Sequence, residues 1–158
     1  MTSMAEMRGC QEAYLRAKDE LRQLDREMLA VEEQYIRENG IVNEDDGTIP
    51  HGILDIHGED EFMAADEACW EIAKKTGLAT KLRQATAALD AAEDALIKST
   101  VGLLPDRFQK EKETLLAGAR NSTKIREKLI SHGMALDTGL EKEMAAAQEV
   151  ADTIGLGL

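Results

Sequence analysis

A chain of 158 residues with two prolines, 3% aromatic residues and a formal net charge of −12 rules out several classes of protein at the outset. It is long enough to bury a core without disulfides or a metal, and its wealth of Ala, Leu, Glu and Lys disfavours a β-rich fold. No stretch is apolar for the roughly 18 residues a membrane span needs, and no basic segment precedes an apolar run at the N-terminus, so the chain reads as cytoplasmic with no membrane partner.

The first helix is expected over residues 3–39. Ser3-Met4-Ala5-Glu6 is a capping box, in which the serine oxygen and the glutamate each satisfy a free backbone N–H. Met7, Cys10, Tyr14, Ala17, Leu21, Leu24, Met28, Val31 and Tyr35 then alternate three and four apart, a heptad seam over four repeats. At 1.5 Å per residue this helix would be about 55 Å long, which points to an elongated molecule. A parallel homodimer in this register would set Glu20 against Asp25 and Glu27 against Glu32, so self-association as a parallel coiled coil is disfavoured, while other homo-oligomers stay open. Leu15, Leu29 and Ile36 widen the apolar stripe, which favours packing against two neighbouring helices of the same chain.

Residues 40–58, GIVNEDDGTIPHGILDIHG, hold four of the twelve glycines, one proline and an Asp46-Gly47 turn signal, and read as a connector with a small hairpin. With Gly47 at the invariant glycine position of a calcium loop, Val42 and Ile53 fall where carboxylates are required, so an EF-hand is excluded. A second helix follows over 59–100, with Glu59, Asp60 and Glu61 in its first turn and a core face of Phe62, Ala65, Cys69, Ile72, Ala79, Leu82, Thr86, Leu89 and Leu96; Gly77 is a potential break within it. Pro105 opens a third helix, 105–132, through Phe108, Leu115, Ala119, Ile125 and Leu129, with His132 at its end as a cation favoured by the helix dipole. Thr138 to Glu141 is another capping box, starting a short helix over 138–154 that includes Leu140, Ala147, Val150 and Ile154. The expected fold is therefore one all-α domain: an elongated antiparallel helical hairpin or bundle with coiled-coil packing and about four helices. Cys10 and Cys69 lie on apolar faces outside any C-x-x-C spacing and read as buried free thiols.

The charge is uneven. From Glu38 through Ala73 there are eleven carboxylates and no Lys or Arg, and the remainder is nearly balanced. A negative patch of this kind steers and holds a basic partner. The expected function is a non-enzymatic protein–protein interaction module that presents Glu44, Asp45, Asp46, Asp55, Glu59, Asp60 and Glu61 to a protein with a basic surface. A sharper alternative is an inhibitor that mimics nucleic acid and occupies the groove of a nucleic-acid-binding enzyme, as small phage-encoded inhibitors do. A further alternative is a divalent-metal protein using His51, Asp55 and His57 as mixed ligands. The corresponding enzyme would be an all-α, magnesium-dependent nucleotide phosphohydrolase drawing on Asp66, Glu67 and Glu71 or on Asp90, Glu93 and Asp94, but these clusters are about 35 Å apart along one helix. No phosphate-binding glycine loop, zincin motif or nucleophile elbow is present, so no catalytic residue and no cofactor is assigned. Arg107, Lys110, Lys112, Arg120, Lys124, Arg126 and Lys128 give the third helix a small basic excess, without the aromatic interleaving that direct nucleic-acid binding uses.

Overall fold

The computed structural model describes residues 1–138 and 143–155. Among these there is no strand, and six α-helices follow in order: α1 Met4–Glu38, α2 Glu59–Thr76, α3 Leu78–Val101, α4 Gln109–Asn121, α5 Thr123–Ala135 and α6 Glu143–Ile154. No helix among the described residues is long and apolar enough to cross a membrane. The chain divides into two compact units, one of Met1–Lys18 with Ala88–Leu158 and the other of Asp19–Ala87.

Helix α1 forms as its sequence dictates. Glu6 N–H donates to Ser3 Oγ at 3.1 Å and Ser3 N–H to Glu6 Oε2 at 3.0 Å, so the capping box is closed. Every residue of the heptad seam is buried or half-buried. The wider stripe is covered only in part: Ile36 is buried, but Leu15 and Leu29 are 50% and 41% exposed. Flanking apolar residues therefore do not report a second neighbour along the whole helix.

Two further expectations about helix boundaries change. Gly77 adopts φ +81°, a left-handed conformation open to glycine at little cost, and its N–H donates to the Lys74 carbonyl, so the expected helix over 59–100 ends there and restarts at Leu78. The break alters which residues face inward. In α2 the buried positions are Ala65, Cys69 and Ala73, four apart, and Ile72 is exposed; in α3 Leu78, Leu82 and Ala85 are buried while Thr86 is exposed. The expected helix over 105–132 is likewise two. After a 3-10 turn at Asp106–Phe108, α4 stops at Asn121, and Ser122 takes an extended conformation and caps α5, its Oγ accepting from Ile125 N–H at 3.4 Å. Six helices replace the expected four because of these two interruptions.

In the first unit, Met7, Leu96, Leu103, Leu104 and Val150 are fully buried in one cluster, and Ile97, Val101, Ala119 and Leu129 form a second. Burial of an aliphatic side chain of this size contributes about 1.5–3 kcal/mol, so these residues dominate the unit's stability. The end of α5 is tied to α1: Gln11 Nε2 donates to the Gly133 and Leu136 carbonyls at 2.8 and 2.9 Å, satisfying acceptors that a helix terminus leaves open. Thr138 is buried and donates its hydroxyl to Gln11 Oε1; its expected capping partner Glu141, with Leu140, lies outside the described residues. His132 does sit in the last turn of α5, but not as a favoured cation. Its Nε2 is buried with no hydrogen-bond partner among the described residues, and burial pushes its pKa below 6.5.

In the second unit, Leu24 and Met28 of α1 share a core with Ala65, Cys69 and Ala73 of α2, Leu78, Leu82 and Ala85 of α3, and Ile53 and Ile56 of the connector. Cys69 is buried and its thiol is pushed up by burial, then by Glu32 and Asp66, as expected for an inert structural thiol; Cys10 is only half-buried, with Sγ 3.2 Å from Ser99 Oγ. This unit carries seventeen carboxylates against seven Lys and Arg, so it accounts for −10 of the net −12.

Candidate functional site

The connector between α1 and α2 is not the hairpin its Asp-Gly signal suggests. No strand forms there among the described residues. Instead a buried asparagine ties the segment into a closed loop. Asn43 N–H donates to the Thr48 carbonyl at 2.8 Å and the Asn43 carbonyl accepts from Gly47 N–H at 2.7 Å, closing a tight turn that Gly47 completes at φ +72°. Asn43 Nδ2 donates to Thr48 Oγ1 at 3.1 Å and to the Asp55 carbonyl at 3.0 Å, and its Oδ1 accepts from His57 N–H at 3.0 Å. One side chain thus joins both ends of the connector. Below it a 3-10 turn at Ile53–Asp55 delivers Ile53 and Ile56 into the core.

Anchored from beneath, the loop turns its carboxylates outward. Glu44, Asp45, Asp46, Asp55, Glu59, Asp60 and Glu61 are all exposed. Asp45 and Asp46 converge on His57, whose Nδ1 lies 2.8 Å from both Asp45 oxygens and 4.0 Å from Asp46 Oδ2. The hydrogen bond to Asp45 raises the His57 pKa, because a carboxylate favours the imidazolium. Asp46 is held below the usual carboxylate range, chiefly by the hydroxyl and then the N–H of Thr48, both donating to its Oδ1 at 2.7 and 3.0 Å. Asp55 enters the cluster through its carbonyl on Asn43 and through its charge near His57. His51 lies apart from these groups, on the wall of a neighbouring cavity.

Among the described residues, the three potential metal ligands that come together are Asp45, Asp46 and His57, with their donor atoms within 4.8 Å of one another. This differs from the His51, Asp55 and His57 set. Bonded to an acceptor-only carboxylate, Nδ1 carries a proton, which an incoming ion must first displace. The arrangement is a His57–carboxylate hydrogen bond on a loop tied by Asn43, and it becomes an ion pair when His57 is protonated.

Beside the acidic loop is an apolar feature that charge counting missed. A cavity of about 410 Å³ is lined by Ile36, Ile41, Val42, Ile49 and Pro50, with Glu33, Arg37 and His51 on its wall. Ile49 is 69% exposed and Val42 46%, while Leu54 of the same connector is 86% exposed. The sequence signal was present as the β-branched pairs on either side of Asp46-Gly47, which read as strand when taken alone. Behind the connector, Glu32 of α1 is partly buried and its pKa is raised by that burial and by Asp66 of α2.

In the cluster of Asp90, Glu93 and Asp94 considered for metal-dependent chemistry, Glu93 and Asp94 are committed to an ion-pair network. Glu93 Oε2 accepts from Arg126 Nη2 and Nε at 3.0 and 3.2 Å, and Asp94 Oδ1 lies 2.8 Å from Arg126 Nη1. No protein-family model matches the chain, and no curated protein sequence and no solved structure matches it.

Proposed function

We propose that the connector of the second unit is a docking site for a basic, amphipathic segment of a protein partner, and that the chain acts as a non-enzymatic interaction module. The observation that carries this reading is the exposure of Ile49 and Val42 at the rim of a 410 Å³ cavity, within a stretch that holds eleven carboxylates and no Lys or Arg. Exposed apolar side chains around a concavity, rimmed by charge of one sign, are the pattern of an interface core with a polar rim. An apolar anchor of the partner enters the cavity, and its cations meet Glu44, Asp45 and Asp46, with Asp55, Glu59, Asp60 and Glu61 extending the field. Glu33 and Arg37 on the cavity wall offset one another in charge. The loop is held by Asn43 and by Ile53 and Ile56 before any partner arrives, so little ordering cost attends binding.

The test is a ¹⁵N–¹H titration with a short Leu/Lys amphipathic peptide and its Leu/Glu counterpart. Saturable shifts confined to the connector and the head of α2, with the Lys peptide alone, are the expected outcome. Raising salt from about 50 to 500 mM, which shortens the Debye length roughly threefold, weakens the binding without abolishing it, because the apolar anchor is not screened. Shifts spread evenly over the molecule, or equal response to both peptides, overturn the reading.

A further inference from the structure

The first unit holds a cleft of the opposite character. A concavity of about 440 Å³ opens where α3, α4 and α5 meet, with Ile97, Leu116 and Ala119 forming an apolar floor and Lys98, Arg120 and Arg126 at its edge. Its size is within the roughly 300–1,000 Å³ of small-molecule sites. The three cations are not equivalent. Arg126 is fixed on Glu93 and Asp94, so its fork is already committed. The side chains of Lys98 and Arg120 are exposed and have no ion pair or hydrogen bond among the described residues, and they line the same cleft. The one carboxylate on the lining, Asp94, is paired with Arg126, which it shares with Glu93; with Lys98 and Arg120 the five groups sum to +1.

We infer that this cleft binds a small amphiphile with a short apolar chain and an anionic head, a carboxylate or a phosphate monoester, with the chain on Ile97, Leu116 and Ala119 and the head between Lys98 and Arg120. The chemistry is complementary in both halves. The floor is continuous with the buried cluster of Ile97, Val101, Ala119 and Leu129, so the chain of the ligand extends an existing core. A guanidinium donates two parallel hydrogen bonds to a carboxylate or phosphate, and the ammonium adds a mobile point charge. Arg126, held by its two carboxylates, forms a rigid side wall. This site is independent of the acidic connector, being built from residues of the other unit.

The experiment uses the full chain with octanoate, octyl phosphate and 1-octanol as probes, below their aggregation concentrations, read by ¹³C-methyl shifts at Ile97 and Leu116. Saturable shifts are expected with octanoate and octyl phosphate, the tighter of the two naming the head group, and binding at least tenfold weaker with 1-octanol. A Lys98→Gln, Arg120→Gln double variant, altered only at exposed positions, is expected to keep the wild-type melting temperature and lose at least tenfold in affinity for both anions while binding the alcohol unchanged. Equal affinity for alcohol and anions, no shift at Ile97 and Leu116, or undiminished anion binding by the double variant overturns the proposal.

Discussion

Replacing Asn43 by alanine removes three side-chain hydrogen bonds at once: those donated to Thr48 Oγ1 and the Asp55 carbonyl, and the one accepted from His57 N–H. A hydrogen bond of this kind contributes about 1 kcal/mol net, and three that share one side chain are not fully additive, so the loss is about 2–3 kcal/mol. Ile53 and Ile56 remain free to pack in the core, so the loss falls on local opening of the connector rather than on the whole fold. At 1.4 kcal/mol per factor of ten, native-state hydrogen exchange at the His57 and Gly47 amides accelerates roughly 30- to 150-fold. The amides of Met28 and Leu96 should change little. Asn43→Asp keeps the acceptor for His57 N–H but loses both donors and sets a carboxylate against the Asp55 carbonyl. It is expected to be at least as damaging at neutral pH and to recover in part when acidified. Unchanged exchange at His57 in the alanine variant, or acceleration spread equally through α1 and α3, would refute the view of Asn43 as the staple of this loop.

The remaining predictions concern charge. Folding raises the His57 pKa above 6.5, so pairing with Asp45 supports the connector fully below about pH 6.5 and is lost as pH rises through the folded value; NMR titration of His57 should show the raised midpoint, and Asp45→Asn should return it toward 6.5. Folding also raises the pKa of Glu32 above 4.5, chiefly through burial and then through Asp66, so its ionised form opposes folding and stability gains as pH falls through the folded value. Glu32→Gln should therefore raise the urea midpoint at pH 7 and flatten that pH dependence; a lowered midpoint contradicts it. Arg126→Lys, which cannot span Glu93 and Asp94 with a planar fork, should cost about 1 kcal/mol in denaturant unfolding, and an unchanged midpoint would show the network to be idle.

What the sequence revealed and what it hid divide by range. The Ser3–Glu6 capping box and the three-four spacing from Met7 to Tyr35 are local patterns of cap and period; the box closes, and the spaced residues are buried or half-buried. The exposed placement of Asp45, Asp46, Glu59 and Glu61 was legible for the same reason, since uncompensated charge stays in water. The break at Ser122 carried a signal, because Asn121-Ser122-Thr123 is rich in capping residues, but the apolar period of Leu115, Ala119, Ile125 and Leu129 runs across it and masked it. The role of Asn43 could not be read. Its partners stand five, twelve and fourteen residues away, and only the closed loop brings them together. The apolar cavity was hidden because its lining comes from the end of α1 and both sides of the Asp-Gly turn, no two of which form a regular period. For His132, position in the last turn suggested a cation, while tertiary burial of Nε2, invisible locally, decided the other way.

In the proposed interface, acidic and apolar groups of the connector act together on one basic partner segment. Calorimetric titration of the Leu/Lys peptide into three variants tests it directly: Ile49→Ser, the pair Asp45→Lys with Asp46→Lys, and Asp90→Lys on exposed α3 surface as a charge control. Ile49→Ser and the Asp45/Asp46 pair should each lose at least tenfold in affinity, with the control within twofold of wild type. A loss in Asp90→Lys as large as that of the Asp45/Asp46 pair would reduce the electrostatic part to net charge, and full affinity in Ile49→Ser would remove the cavity from the interface.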